Sequence, residues 1–251
     1  MNLAGEPVID VGQPVWTRPA PGRRTRFSRD EIAAAAVRIA DAEGIEAVSM
    51  RRIAAELGAG TMTLYSYVST KAELFALVTD AVIGENIVPA AELPTDWRAA
   101  ITAIARRTRA ALGRHPWIFD VVDQPAIGPN GIRHFEQSMH AVSGMDADPD
   151  TRMDVIAAVD EYVFGYCLRE RGALRSKQPA GSALDDLLDY VADTVASGEF
   201  PVLTALVAER GMRDLWLRID AHTNDHARFD RNLARLLDGL SRSTMGDVES
   251  R

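Results

Sequence analysis

Apolar residues recur at intervals of three and four along most of the chain and nowhere alternate with period two for long, so the sequence reads as all-α. Ser28-Arg29-Asp30-Glu31 is a capping box: the Ser28 hydroxyl accepts the Glu31 amide and the Glu31 carboxylate reaches back. Ile32, Ala36 and Ile39 follow at helical spacing, and Gly44 suits the positive-φ position that ends a helix. Ser49 caps a shorter helix carrying Ile53 and Leu57 on one face. Gly58 and Gly60 then punctuate the chain, and a third short helix is predicted over 61–67. Thr70-Lys71-Ala72-Glu73 is a second capping box, opening a helix through Leu74, Leu77, Val78, Ala81 and Val82 toward Asn86. Pro89 and Pro94 mark a boundary.

Beyond that boundary the pattern stays helical. Trp97, Ile101, Ile104, Thr108 and Leu112 form one stripe, broken by His115-Pro116. Trp117-Ile118-Phe119 opens a short apolar segment, and 129–143 predicts a helix organised around Ile132, Phe135 and Met139. Asp148-Pro149 favours a helix start, because a proline in the first turn lacks only an N–H that would be unpaired anyway. The helix it opens carries Val155, Val159, Tyr162, Val163 and Tyr166, apolar around much of its circumference, so it must be buried on more than one side. Another begins at Ser182, and Phe229, Leu233, Leu236, Leu237 and Leu240 line a last one.

Composition narrows the class. With 251 residues, 47% of them hydrophobic and 25% charged, the chain is globular. It has no apolar run near the roughly 18 residues of a membrane span. The opening MNLAGEPVIDVGQPVW does not resemble a secretory signal, so a cytoplasmic protein without membrane partners is expected. Cys167 is the single cysteine, which rules out an intrachain disulfide and a cysteine-based zinc site; no cofactor is expected. The net charge is −8, yet Arg18, Arg23, Arg24, Arg26 and Arg29 cluster at the front, followed by Arg51, Arg52 and Lys71. Asp146, Asp148, Asp150, Asp185, Asp186 and Asp189 lie further on. A basic front on an acidic body suits local binding to phosphates.

Four helices in so short a stretch, with a tight glycine turn between the second and third, form a helix-turn-helix that can place one helix in a DNA major groove. Ala54 allows close helix approach, Gly58 the turn, and Leu64 and Val68 anchor the third helix inward. Thr61, Met62, Thr63, Tyr65, Ser66 and Tyr67 are then expected on its outer surface. Lys71 falls in the first turn of the next helix, where amides and macrodipole also favour a phosphate.

The stretch GIEAVSMRRIAAELGAGTMTLYSYVSTKAELFALV resembles the DNA-binding domain of the TetR family, through Gly44, Ile53-Ala54, Leu57-Gly58, Leu64-Tyr65, Tyr67-Val68, Lys71 and Leu74. The resemblance implies that Thr61, Thr63, Tyr65 and Tyr67 face double-stranded DNA, that Arg51 lies near the backbone and that Lys71 holds a phosphate. Position 60, often Ser in the family, is Gly60 here. Residues 95–240 resemble, more loosely, the C-terminal domain of the tetracycline-repressor branch, through Leu112 to Pro116, Ile127-Gly128-Pro129-Asn130, Val155 to Glu170 and Leu236 to Leu240. That implies a homodimer joined by the helices near 150–171 and 225–240, and a largely apolar small-molecule effector. Expected lining residues are Trp97, Trp117, Phe119, Phe135, Met139, Tyr162 and Tyr166. Tetracycline itself is not expected: the histidine that holds its magnesium chelate aligns near Val122, and Arg169 stands where an acid would be.

The resulting division is a flexible basic arm at 1–26, a helix-turn-helix domain at 27–88, a helical regulatory and dimerisation domain at 95–240, and a tail at 241–251. The arm either reaches the minor groove or makes no contact. Competing readings are a ligand-independent DNA-binding protein and a helical enzyme. For the latter, His222 and His226 lack the glutamate of a zinc protease motif, and Asp185, Asp186 and Asp189 read as a solvated helix face.

Overall fold

The computed structural model describes residues 15–17, 27–121, 127–175, 181–225 and 227–248, with side chains described except at 174, 222–224 and 242–248. Val122, His226 and most of the arginine-rich stretch (Arg18, Arg23, Arg24 and Arg26) lie outside these residues, as do the side chain of His222 and those of the tail beyond 241.

The helices are α1 (Arg29–Glu43), α2 (Met50–Leu57), α3 (Thr61–Tyr65), α4 (Lys71–Gly84), α5 (Trp97–Arg114), α6 (Pro129–Ala141), α7 (Pro149–Arg175), α8 (Ser182–Val195), α9 (Pro201–Arg210), α10 (Met212–Asn224) and α11 (Arg228–Val248). Short 3-10 turns occupy Val15–Thr17, Ile45–Ala47 and Pro116–Asp120. The described residues contain no strand, and the chain is all-α.

Local chemistry sets the helix ends. Ser28 Oγ accepts the Glu31 amide at 3.1 Å, and Glu31 Oε2 accepts the Ser28 amide at 2.7 Å, a complete capping box. Thr70 caps α4 through the Glu73 amide, but the Glu73 carboxylate reaches one residue further back and accepts from Ser69 N at 2.7 Å. Ser49 caps α2, and Asp96 caps α5 through the Ala99 amide. Gly58 ends α2 in the left-handed region (φ 61°, ψ 37°), a conformation that disfavours any residue with a Cβ. Gly60 precedes α3 with no side-chain cap, as its identity dictates.

Packing divides the chain into two compact units, Met1–Leu168 and Arg169–Arg251, which part inside α7. In the first, α1 packs on α2 and α4, α2 on α3, and α4 continues onto both α5 and α6, which also meet each other. The prolines at 89 and 94 therefore mark a turn between helices rather than a break in packing. Ile32, Ile39, Ile53, Leu64, Leu74 and Val78 are fully enclosed, as are Ile101 and Ile104. Each such side chain contributes on the order of 1.5–3 kcal/mol.

Two expectations for this unit change. The segment Val15–Thr17, assigned to a flexible arm, is a 3-10 turn packed on α4, and Val15 is only 1% exposed. The apolar stripe expected to organise α6 points away from α4. The α4-facing side carries Asn130 and Gln137, which hydrogen-bond to Asp80 and Val88, and Ile132 and Phe135 are 60% and 51% exposed. Polar side chains occupy the inner side because backbone groups of α4 and of the turn after it satisfy them there.

In the second unit α8, α9 and α10 pack together, and Arg213 of α10 pairs with Asp185 of α8. Helix α9 carries no strong amphipathic stripe and buries none of its residues; α10 half-buries Met212, Leu215 and Trp216, and Val202, Leu203, Leu217 and Ile219 are exposed. In α11, Phe229, Leu233 and Leu237 are buried on one face, as their spacing predicts.

Candidate nucleic-acid interface

The recognition candidate α3 is held from below by Leu64 and Val68, both fully buried. Gly58 turns the chain, and the Ala59 amide donates to Ala54 O at 2.8 Å, setting the α2–α3 angle. Outward from that base stand Met62 (80% exposed), Tyr65 (44%), Thr63 and Ser66, with Thr61 half-buried. Ser66 Oγ donates to Thr63 O at 2.7 Å, so this hydroxyl reinforces the end of the helix. Arg51 and Lys71 are exposed, and Lys71 Nζ lies 5.0 Å over the Phe75 ring, which orients the ammonium at the first turn of α4. Arg52 holds the head together instead. It donates to Glu43 at 2.7 and 3.0 Å and to Glu56 at 3.0 Å, joining the end of α1 to α2.

Tyr67 does not face outward. Helix α3 ends at Tyr65, and the turn that follows carries the Tyr67 ring into the core at 4% exposure. Its hydroxyl accepts the Phe27 amide at 3.4 Å and its carbonyl accepts Arg29 Nε at 3.3 Å. The side chain thus pins the start of α1 to the end of the recognition helix.

The matches to known proteins follow this architecture. Residues 32–78 match the model described as "Bacterial regulatory proteins, tetR family", and residues 89–244 match "Tetracyclin repressor-like, C-terminal domain". The chain belongs to the TetR family. Its members are transcriptional regulators rather than enzymes, and this TetR-family regulator binds DNA through its helix-turn-helix. It is 34% identical over 228 residues to the "HTH-type transcriptional repressor DrrR1" of Streptomyces coeruleorubidus, covering 89% of this chain and 80% of that protein. A second relative, an "HTH-type transcriptional regulator" of Saccharopolyspora erythraea, is 36% identical over 200 residues, 74% of this chain and 81% of its own. Among solved structures, ActR of Streptomyces coelicolor in complex with actinorhodin matches with a TM-score of 0.67 and 27% identity, covering 87% of this chain and 98% of its own. No helix among the described residues is long and apolar enough to cross a membrane.

Two polar joints connect the head of this TetR-family chain to the helices behind it. At one, Asp80, only 5% exposed, accepts from Asn130 N at 3.1 Å and Gly131 N at 3.0 Å, while Asn130 Nδ2 donates to the Asp80 carbonyl. A carboxylate of α4 thereby caps the first turn of α6. At the other, His115 at the end of α5 lies 2.7 Å from Asp41 of α1 and 3.2 Å from Glu85 at the end of α4. Arg114 pairs with Glu85, and Arg107 Nε donates to the Glu85 carbonyl at 2.8 Å. Burial pushes the Glu85 carboxyl up, but the hydrogen bonds from Arg114 and His115 outweigh it and hold the group below the usual carboxylate value.

The expected effector lining is brought together only in part. Phe119 meets Phe164 edge-on at 4.8 Å, Tyr162 lies 5.9 Å from Tyr166, and Arg109 of α5 stands 4.9 Å over the Tyr166 ring. Trp97 is half-buried beneath Arg98, and Met139 is half-buried on the outer side of α6. Phe135 is half exposed rather than enclosed. Trp117 is buried at the α1 joint instead, its indole N–H donating to Asp41 at 2.8 Å.

Apolar patterning missed three polar groups. Asn86 Oδ1, Thr108 Oγ1 and His134 Nδ1 are buried without a hydrogen-bond partner among the described residues. Asn86 follows Glu85 after α4, Thr108 follows Arg107 on α5, and His134 lies between Asn130 and Gln137 on α6. Burial pushes the His134 pKa down, which favours the neutral ring.

Proposed function

We propose that the chain is a cytoplasmic, ligand-responsive repressor that binds a palindromic operator as a homodimer and is released by a small-molecule effector. The observation that carries this reading is the outward display of Met62, Thr63 and Tyr65 from a helix anchored by Leu64 and Val68, with Lys71 free to reach phosphate at the next helix start. Thr and Met methyl groups suit thymine methyls, and hydroxyls suit base edges or phosphates. Arg51, Thr61 and Ser66 complete the contact surface, and two such heads about one DNA turn apart would read two half-sites. The relative named a repressor, similar over most of both chains, supports the direction of control.

Dimerisation is supported by α7, whose exposed Met153, Phe164 and Leu168 share one face at helical spacing with Ala157 and leave apolar area for a second copy to cover. The effector would meet Phe119, Tyr162 and Tyr166, with Trp97 as a further candidate. Asn86, Thr108 and His134 would supply the few polar anchors a largely apolar site needs. The relative whose structure holds actinorhodin supports a small-molecule ligand. Effector binding would favour an arrangement with mis-spaced heads, lowering DNA affinity by differential binding to two conformations.

The test is fluorescence anisotropy with duplexes selected by the purified protein from a random library, alongside light scattering for mass. A palindromic consensus bound by a dimer supports the reading. A folded protein that selects no duplex at low salt overturns it.

A further inference from the structure

Three segments meet at Gly128. A Cβ built there would collide with the Asp80 carboxylate of α4 and lie 2.5 Å from Trp16 Cζ2, so the glycine is what lets α4, the start of α6 and the Val15–Thr17 turn pack at one point. Val15 is buried on the same unit at 1% exposure, and the turn packs on α4. Immediately beneath lies the cap in which Asp80 accepts from Asn130 and Gly131. Gly84, one turn further along α4, is also close-fitting: a Cβ there would meet Asn130 Nδ2 at 2.9 Å.

We propose that Val15 and Trp16 are positioning residues for operator binding, an intramolecular wedge that holds α4 against the first turn of α6. This rests on the proposed DNA reading, in which α4 carries Lys71 at its start and acts as the lever between the head and the helices packed behind it. Neither residue touches DNA. They act through α4, whose first turn carries Lys71 and whose C-terminal half carries Asp80. A palindrome of fixed spacing accepts only one placement of each head, and a lever free to swing must lose that freedom on binding. The wedge makes the loss in advance, so specific affinity depends on it. Contacts that merely follow phosphate charge tolerate many placements and do not depend on it.

The experiment compares full-length wild type, Trp16→Ala and Trp16→Phe on a duplex selected by the wild type and on a random-sequence duplex. Amide hydrogen exchange is followed at Asn130 and Gly131. The expected result for Trp16→Ala is about tenfold weaker binding to the selected duplex, with an unchanged salt slope and unchanged random-duplex affinity. The two amides exchange faster, and Trp16→Phe restores most of the loss. Equal affinity of wild type and Trp16→Ala for the selected duplex, or an equal loss on both duplexes, overturns the wedge. If Trp16→Ala does not fold, Val15→Thr places a hydroxyl in the same buried seat at nearly constant volume and is held to the same outcomes. A wild type that selects no duplex sinks the DNA reading instead. The wedge then stands or falls on the two amides, and unchanged exchange overturns it.

Discussion

His115 at the end of α5 lies 2.7 Å from Asp41 near the end of α1, across 74 positions of sequence. The same ring reaches Glu85, and Asp41 also accepts the Trp117 indole, so one buried side chain ties the head to the first helices behind it. His115→Ala leaves both carboxylates short of a partner. Asp41 keeps the Trp117 indole and Glu85 keeps Arg114, so the loss is that of net hydrogen bonds, about 0.5–1.5 kcal/mol each, and urea unfolding should show it without a change in helix content before the transition.

Acid should loosen the same joint. Because Glu85 is held below its ordinary value in the folded chain, its contribution is fully present above the unfolded carboxylate pKa of about 4.3. It is lost as the pH falls through the lower folded value. Glu85→Gln should therefore flatten the fall in urea midpoint between neutral and strongly acidic pH. Identical pH profiles for the two proteins would remove Glu85 from the account.

Lys71→Ala should weaken every duplex alike and lower the salt slope by about one. The ammonium contacts charge, not bases, and its loss leaves the Thr70 cap of α4 intact. Anisotropy titrations at several salt concentrations measure both quantities.

Thr63→Ala and Tyr67→Phe should separate reading from holding. Thr63 is exposed on α3, so its loss should change the preferred base at one position in a selection experiment. Tyr67→Phe removes the hydroxyl that accepts the Phe27 amide and should cost about 0.5–1.5 kcal/mol of stability. The selected consensus should stay the same. A shifted consensus in Tyr67→Phe would mean the ring leaves the core on binding.

Much of the head could be read from residue order because its signals are local. Ser28, Ser49 and Thr70 each cap the helix predicted after them, and Gly58 takes the left-handed turn that its position requires. The outward residues of α3 also follow from spacing, until the helix ends at Tyr65 and Tyr67 departs from the pattern. Helix α9 escaped because periodicity reports burial, and α9 buries nothing.

Residue order alone determined the all-α class, the capped starts of the head helices and the family, since capping, turn chemistry and apolar spacing act within a few residues of one another. Tertiary structure decided which face each helix turned inward. Spacing groups side chains on a face without saying what lies opposite, so Asn130 and Gln137 could take the inner side of α6 once backbone groups of α4 and of the turn after it received them. It also decided that Trp117 serves Asp41 and that Val15–Thr17 is seated. These contacts join residues far apart in sequence, and only the folded chain brings their partners within reach.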